Sequence, residues 1–435
     1  MYISKIVLEN VCCFDNLSLE FNSSDASGSW IVFLGDNGVG KTTILRSIAM
    51  GLCDETSASA LLRELYGDFI RYQAPDEKAT IRIEFASHGS SESIWTETSI
   101  FKAKSGRVEL DQKTSPEKEF PWDRIFACGY GAFRGGYTTL DVVEYSSVDS
   151  VYTLFNYGAS LQNPELVFSR MIVAELRDRV DRMLKAIDDV LMLPPGSTLL
   201  TRQGIMVSGQ WIEEVGYGGW GDGHRATLAW LADLFGWIFL YDENMLSNGA
   251  TGIVLLDEIE QHLHPSWQRR IIGRLHEAFP NIQFIVTSHA PLCVIGTTDL
   301  PDHKCDLIVL RPQGDTVQDV ATRTTPKGLR ADQVLTSYLF GMTTTSDDET
   351  KHEVERYADL ASKERTPQED SEFNLIRQSL DAKLGSEETE LERTVAVAVH
   401  EVLSKNPEAS EFTKETLDYE LRRKLRELLG GKKAS

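Results

Sequence analysis

Residues 35–43 read GDNGVGKTT. An apolar run, Ile31-Val32-Phe33-Leu34, comes before them, and a helical pattern with Ile44, Leu45, Ile48 and Leu52 on one face comes after. Buried strand, glycine-rich turn and helix N-terminus, in that order, are what a phosphate-cradling loop (P-loop) requires. The spacing is complete, since Gly35 and Gly40 bracket four residues and Lys41 and Thr42 follow. Glycines let the main chain close around an anion, and the first helical N–H groups point at it. Asp36, Asn37, Gly38, Val39, Gly40, Lys41, Thr42 and Thr43 are therefore the expected nucleotide-binding residues. Lys41 is expected to reach the β- and γ-phosphates, and Thr42 to hold Mg²⁺.

Two later strands supply the groups such a loop needs. Residues 253–258 read IVLLDE, four apolar residues that carry Asp257 and Glu258 to a strand end. Ligands of open α/β sheets bind at that end. Asp257 suits the Mg²⁺ shell, directly or through water. Glu258 is placed to act as general base on the attacking water. Residues 282–289, IQFIVTSH, form another buried strand that ends in Ser288-His289. A histidine there can hydrogen-bond a γ-phosphate or the attacking water. Between the two strands, His262-x-His264 has no evident third ligand and reads as loop.

Two glycine-rich turns add weaker signals. In GYGGWGDGHRATLAWLADLFG, residues 216–236, a loop gives way to an apolar helix carrying Leu228, Leu231, Leu234, Phe235 and Ile238. Its N-terminus is a second anion site in principle. Residues 125–136, IFACGYGAFRGG, run from a short apolar strand into a turn carrying Arg134. A plain β-turn and a nucleotide-responsive loop both fit that stretch. Arg134 is the candidate phosphate sensor in it, because a guanidinium binds phosphate bidentately.

Elsewhere, residues 2–9 and 17–21 read as strands, and Ile81, Ile83 and Phe85 alternate as a third. Residues 86–120 look like an antiparallel sheet with surface loops. Ile172, Leu176, Val180, Met183, Ile187 and Val190 predict one long helix over 164–192, stopped by Pro194-Pro195. A hairpin is expected over 198–215, closing strands near 306–310, and a short helix over 329–342. From Thr343 the composition turns charged and helical. Amphipathic stripes fall on Phe373, Ile376, Leu380 and Leu384, on Leu391, Val395, Val399 and Val402, and on Leu417, Leu421, Leu425 and Leu428. Each needs a partner for its apolar face, whether a neighbouring helix or another protein.

Composition narrows the rest. The formal net charge is −22. That disfavours phosphate-backbone binding by the overall field but leaves room for a local basic groove. None of the six cysteines forms a C-x-x-C pair, which fits a reducing cytoplasm. No secretory leader is read in MYISKIVLEN, and Leu228–Tyr241 is too short and too charged to span a membrane.

The order P-loop, glycine-rich loop, Asp-Glu strand, His-ended strand resembles the ATP-binding-cassette class of ATPases over residues 1–342. GDNGVGKTT, DEIEQHLHP and TSHAP look like its RecF and OLD (overcoming-lysogenization-defect) branch. YGAFR, LQNPE and LRADQVLTSYLFGM look like the Septu-type (PtuA-like) and retron-associated ATPases of anti-phage systems. About 180 residues separate Lys41 from the glycine-rich loop, too few for long coiled-coil arms.

The resemblance implies an α/β P-loop core, with a mixed sheet, a flanking antiparallel β-subdomain and a helical lobe, over 1–342. A helical region over 343–435 would serve partner docking or oligomerisation. It also implies ATP and Mg²⁺ as ligands, a homodimer or higher homo-oligomer, and a separate effector such as an HNH-type nuclease. Nucleic acid would be reached through the complex, in the bacterial cytoplasm and without a membrane. Gly219, Gly221, Asp222, Gly223, His224 and Arg225 would form the signature that faces the partner's ATP. Family signatures carry a serine where this chain has Gly221, so one hydroxyl donor is missing. Losing one donor to transition-state charge costs on the order of 100-fold in rate. The alternative reading is a RecF-like DNA-repair ATPase acting on nucleic acid directly. No Toprim-like acidic cluster is evident after residue 310, and no His-Asn-His arrangement is evident, so no intrinsic nuclease is expected.

Overall fold

Strand Trp30–Leu34 is buried along its whole length, and so are Gly252–Leu256 and Ile282–Thr287. Strands covered on both faces read as continuous apolar runs, and these three lie side by side in a parallel sheet. The structure, a computed structural model, describes residues 1–384 apart from 22–26, 66–68, 73, 75–76, 87–93, 118, 135, 139–141, 175, 203, 210–211, 246–248, 323–325, 343–344 and 362–364. The predicted helices centred on Val395 and Leu421 lie outside the described residues. The chain divides into two compact units, Met1–Thr343 and Thr344–Ser435.

In the first unit the strands are β1 (Tyr2–Val11), β2 (Phe14–Glu20), β3 (Trp30–Leu34), β4 (Lys78–Ala86), β5 (Ile94–Lys102), β6 (Val108–Ser115), β7 (Ala127–Tyr130), β8 (Thr198–Thr201), β9 (Gly204–Gly209), β10 (Ile212–Gly216), β11 (Gly252–Leu256), β12 (Ile282–Thr287), β13 (Cys305–Gln313) and β14 (Thr316–Thr322). Its helices are α1 (Lys41–Gly51), α2 (Glu55–Arg63), α3 (Pro164–Val173), α4 (Arg177–Val190), α5 (Asp222–Tyr241), α6 (Pro265–Gln268), α7 (Ile271–Ala278), α8 (Pro291–Gly296) and α9 (Ala331–Thr336). The central sheet has the order β14-β13-β3-β12-β11-β7, all parallel except the edge strand β14. Sheet β2-β1-β4-β5-β6 is antiparallel, as is β10-β9-β8.

Alternation along the central strands builds two cores. Trp30, Val32 and Leu34 of β3 face one side, with Val254, Leu256, Phe284 and Val286, against apolar residues of α3, α4, α5 and α7. Ile31 and Phe33 face the other side, with Ile253, Leu255 and Ile285, against α1, α2 and the antiparallel β-subdomain. Successive strand residues point to opposite faces, so one buried run serves both layers.

The predicted helix over 164–192 is two helices. Helix α3 buries Val167, Phe168 and Met171, while α4 buries Val180, Met183, Leu184 and Ile187. From Met171 to Val180 is nine residues, about two and a half turns, which in one straight helix would put the two stripes on opposite sides. The break near Leu176 restores a common inward face, and it leaves Ile172 and Val173 exposed. The helix expected over 329–342 is confined to α9, whose C-cap Ser337 turns to extended backbone at ψ 172°.

In the second unit, α10 (Asp348–Ala361) and α11 (Pro367–Leu384) pack together. Tyr357 stacks on Phe373 at 4.6 Å, and Arg356 grips Glu372 through two hydrogen bonds of 2.8 and 2.9 Å. The stripe predicted on Phe373, Ile376 and Leu380 falls on α11, and α10 had no counterpart in the sequence reading.

Candidate nucleotide site

The C-terminal ends of β3, β12 and β11 are neighbours in the sheet, with Thr287 opposite Phe33 and Leu256 opposite Val286. The loops that leave them therefore converge. They form a cleft of about 320 Å³ lined by Asn37, Gly38, Gly40, Lys41, Thr42, Thr43, Asp257, Glu258 and His289, with Cys12 and Cys13 from the β1–β2 turn.

The P-loop conformation follows from its glycines. Gly35, Gly38 and Gly40 have φ of 141°, 83° and 88°. At Gly40 a side chain would also collide with Cys13 and the Phe14 ring. Gly40 is the N-cap of α1 and no side chain caps that terminus. Its leading N–H groups thus remain for an anion. Asp36, Asn37 and Gly38 are exposed, whereas Val39 is buried in the core on the α1 side of the sheet and anchors the loop.

Lys41 is buried, and its ammonium donates to the carbonyls of Gly35 and Asp36, both at 2.9 Å. Burial pulls its pKa below the usual lysine value, against the attraction of Asp257, Glu258, Glu260 and Asp36. Thr42 Oγ1 donates to Asp257 Oδ2 at 2.7 Å. A hydroxyl and a carboxylate oxygen at one point are hard donors of the kind Mg²⁺ takes, leaving other positions for water and phosphate oxygens. Among the described residues no group of three or more His, Cys, Asp or Glu forms a separate metal cage.

Several neighbours that carry no motif of their own in the sequence fix these groups. Thr287 Oγ1 donates to Asp257 Oδ1 at 2.6 Å and accepts the Glu258 N–H at 2.7 Å. The Asp257 N–H donates to Tyr130 O at 2.8 Å, which ties β11 to β7. Glu260 accepts the His289 N–H through Oε1. The only sequence signal for Thr287 was its place in the polar end of a buried strand.

Arg134 does not line the cleft. Its side chain is 5% exposed and donates from Nη2 to Glu258 O at 2.6 Å. The signature residues do not line the cleft either. Gly219 is exposed, Gly221 is the N-cap of α5, and Asp222, Gly223, His224 and Arg225 make its first turn. Gly223 lies so close to His262 that a Cβ would sit 2.4 Å from the His262 carbonyl oxygen. The His224 ring stands edge-on to Trp267 at 4.2 Å, and burial lowers its pKa. His264, free of any metal role in the sequence reading, accepts the Ser266 N–H as N-cap of α6.

Residues 5–121 match the family described as "AAA domain", and residues 181–294 match "AAA domain, putative AbiEii toxin, Type IV TA system". Septu protein PtuA of Bacillus mycoides is 27% identical over 80% of this chain and 46% of its own length. The Escherichia coli protein named "Retron Ec83 probable ATPase" is 51% identical over 16% of this chain and 13% of its own length. The chain thus spans about half the length, or less, of these curated relatives. A solved SMC head bound to the C-terminal winged-helix domain of ScpA aligns at 15% identity and a TM-score of 0.47, over 74% of this chain and 98% of that one. Among the described residues no helix is long and apolar enough to cross a membrane. With its P-loop, its parallel core sheet and its Asp-Glu strand end, the chain has the α/β core of a P-loop ATPase and resembles PtuA.

Proposed function

We propose that the chain binds ATP with Mg²⁺ and hydrolyses it slowly, as the ATPase subunit of a bacterial anti-phage defence complex. Two copies sandwich two nucleotides head to tail, and the assembly controls a separate nuclease effector held through residues 343–435. One observation carries this reading. Lys41, Thr42, Asp257, Glu258 and His289 converge on a single cleft, while residues 219–225 lie away from it at the start of α5. Metal and base groups in one cleft, with the expected phosphate clamp of residues 219–225 elsewhere on the chain, support the reading of half a composite site. Similarity to PtuA and to the retron protein supports the defence setting.

In this reading Lys41 and the P-loop N–H groups hold the phosphates. Thr42 and Asp257 hold Mg²⁺, which neutralises phosphate charge when bound. Glu258 orients and deprotonates water, and His289 hydrogen-bonds the γ-phosphate or that water. The test is ATP turnover by the purified chain, together with co-purification of the protein encoded beside it. Turnover abolished in Lys41→Ala, with a stable co-encoded partner, supports the reading. A chain that neither binds ATP nor retains any co-encoded protein overturns it.

A further inference from the structure

Glu258 sits in the left-handed region at φ 47°, a conformation that strains a non-glycine residue. Its main chain is gripped on both sides by side chains from neighbouring segments. Thr287 Oγ1 of β12 takes its N–H at 2.7 Å, and Arg134 Nη2, four residues beyond β7, donates to its carbonyl at 2.6 Å. The Arg134 guanidinium is buried with Nη1 unpartnered, and Glu260 Oε2 is buried and unpartnered as well. Burial pulls the Arg134 pKa down to about 10, while Asp257, Glu260 and Glu258 oppose that pull. A buried guanidinium aimed at a main-chain carbonyl, outside the cleft, is costly to keep and needs a reason.

We propose that Arg134 is a positioning residue for hydrolysis. By clamping the Glu258 carbonyl from behind the cleft, it holds the strained Glu258 main chain so that the carboxylate faces the attacking water. This rests on the reading of Glu258 as general base. It replaces the expectation that Arg134 senses phosphate, because Nη2 donates to the main chain and the residue does not border the cleft. Thr287 fixes the other end of the same residue, and the β7–β11 register brings Arg134 within reach through the Asp257 N–H to Tyr130 O bond.

Misplacing a catalytic group by about 1 Å can cost on the order of 100-fold. The full chain carrying Arg134→Gln is therefore expected to lose about 10-fold to 100-fold in saturating turnover, with ATP affinity within about 3-fold of the parent. Arg134→Lys, whose ammonium can still donate to the carbonyl, is expected to recover part of the loss. Retained ATP binding shows that each variant is folded. Added to Glu258→Gln, the Arg134→Gln change is expected to cost nothing further, since groups acting as a unit are not additive.

Parent-like turnover in Arg134→Gln overturns the proposal alone. So does a matched loss of affinity and turnover, which would place the guanidinium on phosphate. If the parent chain binds ATP but never turns it over, the hydrolytic reading itself fails and the proposal falls with it.

Discussion

Thr42 Oγ1 donates to Asp257 Oδ2 at 2.7 Å, bridging 215 residues of sequence between the P-loop and the end of β11. Without a metal this bond holds the two oxygens together; with Mg²⁺ both become available as ligands. Thr42→Ala is expected to weaken ATP affinity about 10-fold or more in Mg²⁺ and to leave affinity in chelator nearly unchanged. Titration of a fluorescent ATP analogue with and without EDTA checks this. Equal affinities of parent and variant in Mg²⁺ would remove Thr42 from the metal.

Gly221 tests why hydrolysis should be slow. Its φ of −64° and ψ of 149° suit any residue, and the nearest atom to an added Cβ is His224 Nδ1 at 3.9 Å. Gly221→Ser restores the missing hydroxyl at the N-cap of α5, where serine is also favoured over glycine by a few tenths of a kcal/mol. Turnover is expected to rise by on the order of 10-fold to 100-fold, with the unfolding midpoint unchanged or slightly higher. Steady-state ATPase assays read this directly, and an unchanged rate would argue that the loop does not meet the transferring phosphate.

Lys41 gives the simplest control. Its ammonium rests on two P-loop carbonyls, so Lys41→Ala removes a buried cation held by main-chain oxygens. Loss of ATP binding is expected, with little change in the melting temperature. Equilibrium binding by calorimetry decides it, and unaltered affinity would show the P-loop assignment to be wrong.

How much of this was legible in the sequence differed by the range of the interaction. The central strands were readable because burial on both faces leaves an unbroken apolar run, as in Ile253–Leu256. The P-loop was readable because its glycines are demanded by local backbone angles. Helices α3 and α4 were merged because Ile172 and Leu176 extend the stripe of α4 by chance, although Ile172 ends up 40% exposed. Arg134 drew notice as a phosphate ligand, and its contact with the Glu258 main chain was invisible because it depends on the register between β7 and β11. Thr287 and Glu260 escaped for the same reason, since their partners lie 29 or 30 residues away in sequence.

Asp233 offers a pH test of the core under α5. It is the one charge of α5 beyond its first turn, buried, and it accepts from Tyr130 OH at 2.9 Å and Gln162 N–H at 2.8 Å. Burial pushes its pKa up to about 6 from the usual 3.8, overriding those hydrogen bonds. A raised folded-state pKa means that the folded chain binds more protons than the unfolded one between those values. The stability this group contributes is therefore fully present below about pH 4 and is lost as pH rises through about 6, by up to ~3 kcal/mol. Asp233→Asn is expected to gain stability relative to the parent over that window. Urea midpoints at pH 4 to 7 check the sign, and parallel curves for the two proteins would contradict it.

In the proposed assembly the cleft is half of a site completed by a second copy. The direct measurement is the mass in solution of Glu258→Gln, which is expected to bind ATP without turning it over. With saturating ATP and Mg²⁺ a two-chain mass or a multiple of it is expected, lost when Gly221→Glu places a carboxylate where the partner's γ-phosphate would lie. A one-chain mass with ATP bound, or an assembly indifferent to Gly221→Glu, would contradict it.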